Sequence, residues 1–133
     1  MKELRIGMIG YRFMGKAHSF GIDNAPFFFN LGIKPVKKVI CGRNEHLVKQ
    51  AAENFGWDEY CTDWEDVIKR EDIDVIDIAT PTNLHKEIAV AAARAGKHVF
   101  CEKPMAMTAQ EAKQMYEEAQ KAGIVHMLGH NYR

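Results

Sequence analysis

Short, almost wholly apolar runs alternate along this chain with longer stretches in which apolar residues recur every three or four positions. The runs at 4–9 (LRIGMI), 36–41 (VKKVIC), 74–79 (DVIDIA), 98–102 (HVFCE) and 124–129 (IVHMLG) read as strands, with a short one at Tyr60 and Cys61. Between them the period lengthens to that of helices, from about Met14 to Asn24, Asn44 to Phe55, Asp63 to Glu71, 84 to 95 and Thr108 to Gly123. Gly56, Gly96 and Gly123 stand where helices stop. Asp63, with Asp66 three residues on, has the form of an N-cap, and Thr108 with Glu111 that of a capping box. Residues 25–35 (APFFFNLGIKP) carry prolines at both ends and are expected to form a loop around a buried aromatic cluster.

Strict strand–helix alternation implies right-handed crossovers and a parallel sheet. The strands are apolar on both faces, as strands covered from both sides must be. The expected fold class is therefore α/β: a Rossmann-type, doubly wound, mainly parallel sheet of about six strands. Ligands of such sheets bind beyond the carboxyl ends of the strands, so chemistry is expected just after residues 9, 41, 79, 102 and 129.

Composition narrows this reading. The 133 residues suit one domain, spanning 1–133, and 18 basic residues balance 18 acidic ones. Zero net charge gives no reason to expect a nucleic-acid or membrane partner. There is no apolar signal segment at the N-terminus and no run of ~20 apolar residues. Cys41, Cys61 and Cys101 are widely spaced, without a C-x-x-C pair, and are read as reduced thiols of a cytoplasmic protein.

The first strand is followed by Gly10-Tyr11-Arg12-Phe13-Met14-Gly15. In the dinucleotide fingerprint G-x-G-x-x-G the first glycine allows the tight turn and the third lets helix and strand pack closely. Amides at the helix N-terminus then face a pyrophosphate. Here Arg12 replaces the middle glycine, the one that normally lets backbone approach phosphate. Its guanidinium either lies beside the pyrophosphate or turns to solvent.

Further segments extend the pattern: Phe13-Met14-Gly15-Lys16-Ala17-His18, Ala79-Thr80-Pro81-Thr82-Asn83-Leu84-His85, Glu102-Lys103-Pro104 and Asn131-Tyr132-Arg133. In this order and spacing the chain resembles the glucose–fructose oxidoreductase, inositol dehydrogenase and rhizopine-catabolism family of NAD(P)-dependent oxidoreductases. The resemblance implies hydride transfer between a nicotinamide cofactor and a sugar, inositol or other polyol. It also implies a further α/β domain, absent here, that supplies much of the substrate pocket and usually an oligomer interface. On that resemblance the chain is a truncated piece or a natural fragment, not competent for catalysis by itself, and a full-length form is a homo-oligomer.

NAD binders end the second strand with an acidic residue for the adenosine ribose, and NADP binders replace it with a basic residue nearby. Gly42 takes that position here, followed by Arg43 and Asn44. A guanidinium can make charge-assisted bonds to a 2′-phosphate worth roughly 1.5–3 kcal/mol, which slightly favours NADP over NAD. Gly42-Arg43-Asn44 also reads as a turn and N-cap, and Asn44 or Glu45 could serve NAD instead.

At the other end of the cleft the resemblance places Thr80 and Pro81 along the pyrophosphate and nicotinamide ribose. Thr82 and Asn83 either lie along the cofactor with that turn, Asn83 being the binding candidate, or cap the next helix, and His85 would shape or touch the cofactor pocket. Lys103 is the catalytic candidate, bonded to the substrate hydroxyl and nicotinamide ribose and favouring the developing alkoxide. An ammonium suits that task because the hydroxyl loses its proton as hydride leaves. Glu102 would contact the ribose, Pro104 would fix the turn, with a peptide bond that could be cis. Asn131 would face the nicotinamide, and Arg133 would lie near a domain junction.

His126 and His130 are four apart, but in a strand that spacing makes no metal pair, and no metal is expected. Asp77 reads as a buried, hydrogen-bonded carboxylate, and Met105, Met107, Met115 and Met127 as packing residues. A reading from another class also stands: a nucleotide-binding sensor or scaffold without turnover.

Overall fold

The computed structural model describes residues 1–131. Six strands form one sheet: β1 (Lys2–Ile9), β2 (Ile33–Cys41), β3 (Glu59–Cys61), β4 (Val75–Ile78), β5 (His98–Glu102) and β6 (His126–Gly129). The helices are α1 (Phe13–Phe28), α2 (Glu45–Phe55), α3 (Trp64–Lys69), α4 (His85–Arg94) and α5 (Ala109–Ala122), with a 3-10 turn over Thr82–Leu84. The strand order is β3-β2-β1-β4-β5-β6 and every neighbouring pair is parallel. The doubly wound parallel sheet expected from the alternation is therefore present, with its switch point between β1 and β4. All six carboxyl ends lie along one edge.

The strand side chains divide between two cores. Ile9, Val39, Cys41, Ile76, Ile78, Val99 and Cys101 pack with α3, α4 and α5 through Val67, Ile68, Ile88, Ala92 and Met115. Ile6, Met8 and Ile40 face the other way, onto Val48, Ala51 and Ala52 of α2, Trp57 and Ile22 of α1. Ser19 locks α1 into this second layer. Its hydroxyl donates to the Gly15 carbonyl at 2.7 Å and accepts from the Trp57 indole at 2.9 Å. At the sheet's far side Val125 and Met127 are 63% and 58% exposed, leaving apolar surface by β6.

The caps follow the sequence. Asn44 accepts from Leu47 N at 3.0 Å and Asp63 from Glu65 N at 2.9 Å. Thr108 accepts from Glu111 N at 3.1 Å, and Glu111 reaches back to Met107 N at 3.2 Å. Arg5 clamps Asp74 with two guanidinium bonds of 2.9 and 2.8 Å and a backbone N–H at 2.8 Å. These donors hold the Asp74 carboxyl down at about 2.

Three expectations are corrected. Residues 25–28 are not loop: α1 continues to Phe28, carrying Pro26 inside it. The aromatics are not buried, since Phe27, Phe28 and Phe29 are 84%, 71% and 66% exposed. The chain turns at the amino edge of the sheet, beyond either layer, and no element among the described residues covers them. β2 also starts early, at Ile33, with Pro35 inside it. β3 pairs only with Val39–Cys41, so at Pro35 the strand has β1 on one side alone and a missing N–H costs no ladder bond.

Candidate active site

The site is built where β1 runs into α1. Gly10 has φ +112°, and a Cβ there would stand 2.4 Å from the Ala79 carbonyl oxygen at the end of β4. A Cβ on Gly15 would stand 2.4 Å from the Gly10 carbonyl oxygen. The two outer fingerprint glycines thus serve close approach, as expected. Position 12 is different: Arg12 has φ −79° and ψ −151°, a conformation open to any residue, and its side chain is exposed. The backbone therefore does not demand glycine there.

Arg12 is the N-cap of α1, but no side chain caps the first turn. The amides of Phe13, Met14 and Gly15 at the head of the helix are accordingly available to an external acceptor. Phe13, 79% exposed, and the exposed Met14 flank that mouth. A pyrophosphate fits this arrangement: uncapped donors, the positive end of a 16-residue helix, and a turn too tight for a side chain.

At the adenosine end, Gly42 follows β2 and donates its N–H to the Cys61 carbonyl at 3.1 Å. A Cβ on Gly42 would stand 2.0 and 2.2 Å from two carbons of the Tyr11 ring. Tyr11, the second fingerprint residue, therefore fills the space where an acidic side chain would project. Arg43 and Asn44 are exposed, and the Asn44 side-chain oxygen is spent on capping α2. Sequence reasoning passed over Tyr11, because nothing in spacing relates it to Gly42.

Toward the nicotinamide end, Thr80 and Pro81 form the turn after β4, and Thr80 Oγ1 donates to the Pro81 carbonyl at 3.2 Å. The expected cap by Thr82 or Asn83 is not formed. The 3-10 turn runs directly into α4, whose N-cap is Leu84 without a side-chain bond. His85 does not offer itself to a ligand: it is 1% exposed. Its Nδ1 lies 2.9 Å from the Pro104 carbonyl and its Nε2 3.0 Å from the Thr80 carbonyl. It ties together the two turns that border the cleft. Asn83 is exposed beside them.

Lys103 is exposed directly after β5, on the same edge as the Gly10–Gly15 turn and two strands away. At ~4.8 Å per strand the separation is about 10 Å across the sheet, within the span of a dinucleotide laid over β4. The Lys103–Pro104 peptide bond is cis, the alternative raised for it from sequence. Asn131 is exposed just beyond β6, and Tyr132 and Arg133 lie outside the described residues.

Glu102 holds the arrangement that sequence reasoning missed. It is 8% exposed, with Oε2 accepting from Lys103 N at 3.1 Å and Oε1 2.9 Å from Nε2 of His18. A ribose contact would therefore share an oxygen already engaged. The other ring nitrogen of His18 lies 2.8 and 3.0 Å from the two oxygens of Asp77, which is the buried, paired carboxylate expected. Burial alone would push the His18 pKa down, but the two carboxylates outweigh it and lift it to about 9. A signal was present in the sequence: Gly15, His18, Ser19 and Ile22 form the sheet-facing stripe of α1, opposite a strand that contains an aspartate.

The phosphate turn, the switch point and the strand-end lysine along one carboxyl edge define a Rossmann-type dinucleotide-binding domain. Residues 4–130 match the model of an oxidoreductase family with an NAD-binding Rossmann fold. The chain belongs to this family, that of glucose–fructose oxidoreductase, inositol dehydrogenase and the rhizopine-catabolism proteins. It is 49% identical over 134 aligned positions to levoglucosan dehydrogenase of Pseudarthrobacter phenanthrenivorans, covering 100% of this chain and 34% of that protein. It is 29% identical over 130 positions to myo-inositol 2-dehydrogenase of Thermotoga maritima, covering 98% and 37%. A levoglucosan dehydrogenase structure in complex with NADH and levoglucosan matches with a TM-score of 0.96 and 49% identity, over 99% of this chain and 36% of that one. The chain thus spans about a third of the length of these relatives.

Proposed function

We propose that residues 1–133 form one NAD(P)-binding domain of a dehydrogenase that moves hydride between a nicotinamide cofactor and a sugar, inositol or other polyol. The observation that carries this reading is the shared edge: a tight uncapped turn at Gly10–Gly15 and, two strands on, the exposed Lys103. Bound nicotinamide would supply the hydride acceptor or donor. In this reading the amides of residues 13–15 hold the pyrophosphate, while Thr80, Pro81 and Asn83 border the path across β4. Asn131 closes the far side, and the Lys103 ammonium bonds the substrate hydroxyl and favours the developing alkoxide. Relatives named for levoglucosan and inositol support a polyhydroxylated substrate. The choice of sugar, and a homo-oligomeric full-length form in the cytoplasm, belong to the same proposal.

Two observations pull the cofactor choice apart. Gly42 brings no carboxylate to repel a 2′-phosphate and the exposed Arg43 offers it a charge, favouring NADP. Three solved levoglucosan dehydrogenase structures are complexes with NADH, favouring NAD. Calorimetric titration with NADP, NADPH, NAD and NADH tests both levels. Binding of at least one supports the domain reading, tighter NADPH supports the Arg43 argument, and no binding at millimolar nucleotide overturns both. A nucleotide-binding module without turnover is the second reading, since the site features other than Lys103 serve binding alone. Hydride transfer by a form containing the rest of the pocket would exclude it.

A further inference from the structure

We propose that His18 is a positioning residue for the catalytic segment: its ring bridges Asp77 and Glu102 and so fixes the Glu102–Lys103 backbone relative to the phosphate-binding helix. The inference rests on the dinucleotide reading above and adds a residue to it.

Three elements meet at one ring. His18 belongs to α1, whose head forms the phosphate turn, Asp77 to β4, and Glu102 to β5. Nδ1 lies 2.8 Å from Asp77 Oδ1 and Nε2 2.9 Å from Glu102 Oε1. Phe100 meets the ring edge-on, with centroids 5.3 Å apart, and orients it. The charged groups facing it are Asp77 from β4 and Glu102 from β5. From β6, Gly129 comes near the cluster: a Cβ there would stand 3.4 Å from Glu102 Oε1.

Proton counting gives the ring its state. Both partners are carboxylates, and each N···O bridge needs one proton. Two bridges hold two protons whether these sit on nitrogen or oxygen, so the cluster carries one net negative charge. A neutral ring between two carboxylates would instead set a lone pair against an oxygen of like charge in a site of low dielectric. Asp77 alone would satisfy a buried histidine. The second bridge is what reaches the reactive segment, because the other oxygen of Glu102 accepts from Lys103 N at 3.1 Å. As pH rises through about 9 the ring loses a proton and one bridge opens. In this proposal Glu102 is the partner that yields, because the ring nitrogen facing Asp77 lies 2.8 and 3.0 Å from both of its oxygens while the other nitrogen faces a single Glu102 oxygen at 2.9 Å.

The test is carbon-detected NMR on this chain, following His18 Cε1, Glu102 Cδ and Lys103 C′ from pH 6 to 10.5, with NADH binding measured by fluorescence on the same samples. The expected result is a common midpoint near 9 for all three carbons. In Glu102→Gln, which keeps shape and an acceptor but removes the charge, the His18 midpoint falls by roughly one unit or more and Lys103 C′ ceases to follow it. In His18→Gln the NADH dissociation constant rises about tenfold. A His18 midpoint near 6.5, or a Lys103 carbon indifferent to it while NADH binds, overturns the positioning role. Loss of the fold in His18→Gln does not rescue it, because the wild-type and Glu102→Gln titrations decide alone. Failure of the wild type to bind NADH overturns the dinucleotide reading and with it the purpose of the bridge.

Discussion

Replacing Gly10 by alanine probes the phosphate turn without adding charge or polarity. The new Cβ would stand 2.4 Å from the Ala79 carbonyl oxygen and 2.6 Å from its carbon, at φ +112°. Neither side can retreat cheaply, since Gly10 N donates to the Cys41 carbonyl at 2.9 Å and Ala79 N to the Ile9 carbonyl at 2.8 Å. A non-glycine residue in such a conformation costs about 1–3 kcal/mol. Overpacking against fixed backbone costs about as much again, so the expected loss is roughly 2–6 kcal/mol. Urea unfolding followed by tryptophan fluorescence measures it, and NADH titration at low urea measures the function that goes with it. Gly21→Ala is the internal control: Gly21 lies inside α1 with nothing within 4 Å of its would-be Cβ. That substitution should raise stability by roughly 0.5–1 kcal/mol. A Gly10→Ala protein that loses less than about 1 kcal/mol and binds NADH unchanged would show that the turn is not the tight cradle described.

Four other outcomes follow from the geometry. Lys103→Ala, in a form containing the substrate domain, should lower turnover roughly 10²-fold in a spectrophotometric NAD(P)H assay, and near-normal turnover refutes its role. Arg43→Ala should weaken NADPH binding about tenfold and leave NADH binding nearly unchanged by calorimetry; equal losses refute the 2′-phosphate argument. Asp74, held at about 2 against 3.8 when free, stabilises the fold above pH ~4 and loses that contribution as pH falls toward 2. Asp74→Asn should therefore cost about 1 kcal/mol at pH 6 in urea unfolding, with the gap to wild type closing by pH 2. His18, raised to about 9, stabilises fully below its free value and progressively less up to pH 9, so the urea midpoint should fall across that interval and fall less in His18→Gln.

What was legible in the sequence was whatever depends on neighbours along the chain. The alternation of strands and helices, the Asn44, Asp63 and Thr108 caps and the Gly10–Gly15 turn are signalled within a few residues, and each is present, with only the ends of elements such as α1 and β2 displaced. The errors arose where a local rule met an unseen neighbour. Pro26 and Pro35 read as breakers, but one sits inside α1 and the other on a stretch of β2 bare on one side. The three phenylalanines read as core because apolar residues usually are, yet among the described residues no element covers them at the sheet's amino edge. The Thr82 or Asn83 cap failed because the chain enters α4 through a 3-10 turn, which leaves no extended residue to cap from.

The active site shows the same division more sharply. Lys103 could be named from its tripeptide, but what holds it could not, because Glu102 reaches a histidine 84 positions away and that histidine reaches an aspartate 59 positions away. Such contacts are set by the strand order β1-β4-β5, which brings three distant segments to one edge only after folding. One local clue remained: a carboxylate in the middle of an apolar strand requires a partner, and the sheet-facing stripe of α1 offers one titratable side chain. A buried charge in a parallel strand is thus a better guide to the machinery of this edge than the glycine pattern, since glycines report only where backbone comes close. The charge reports which elements are held in register along the edge that carries both the Gly10–Gly15 turn and Lys103.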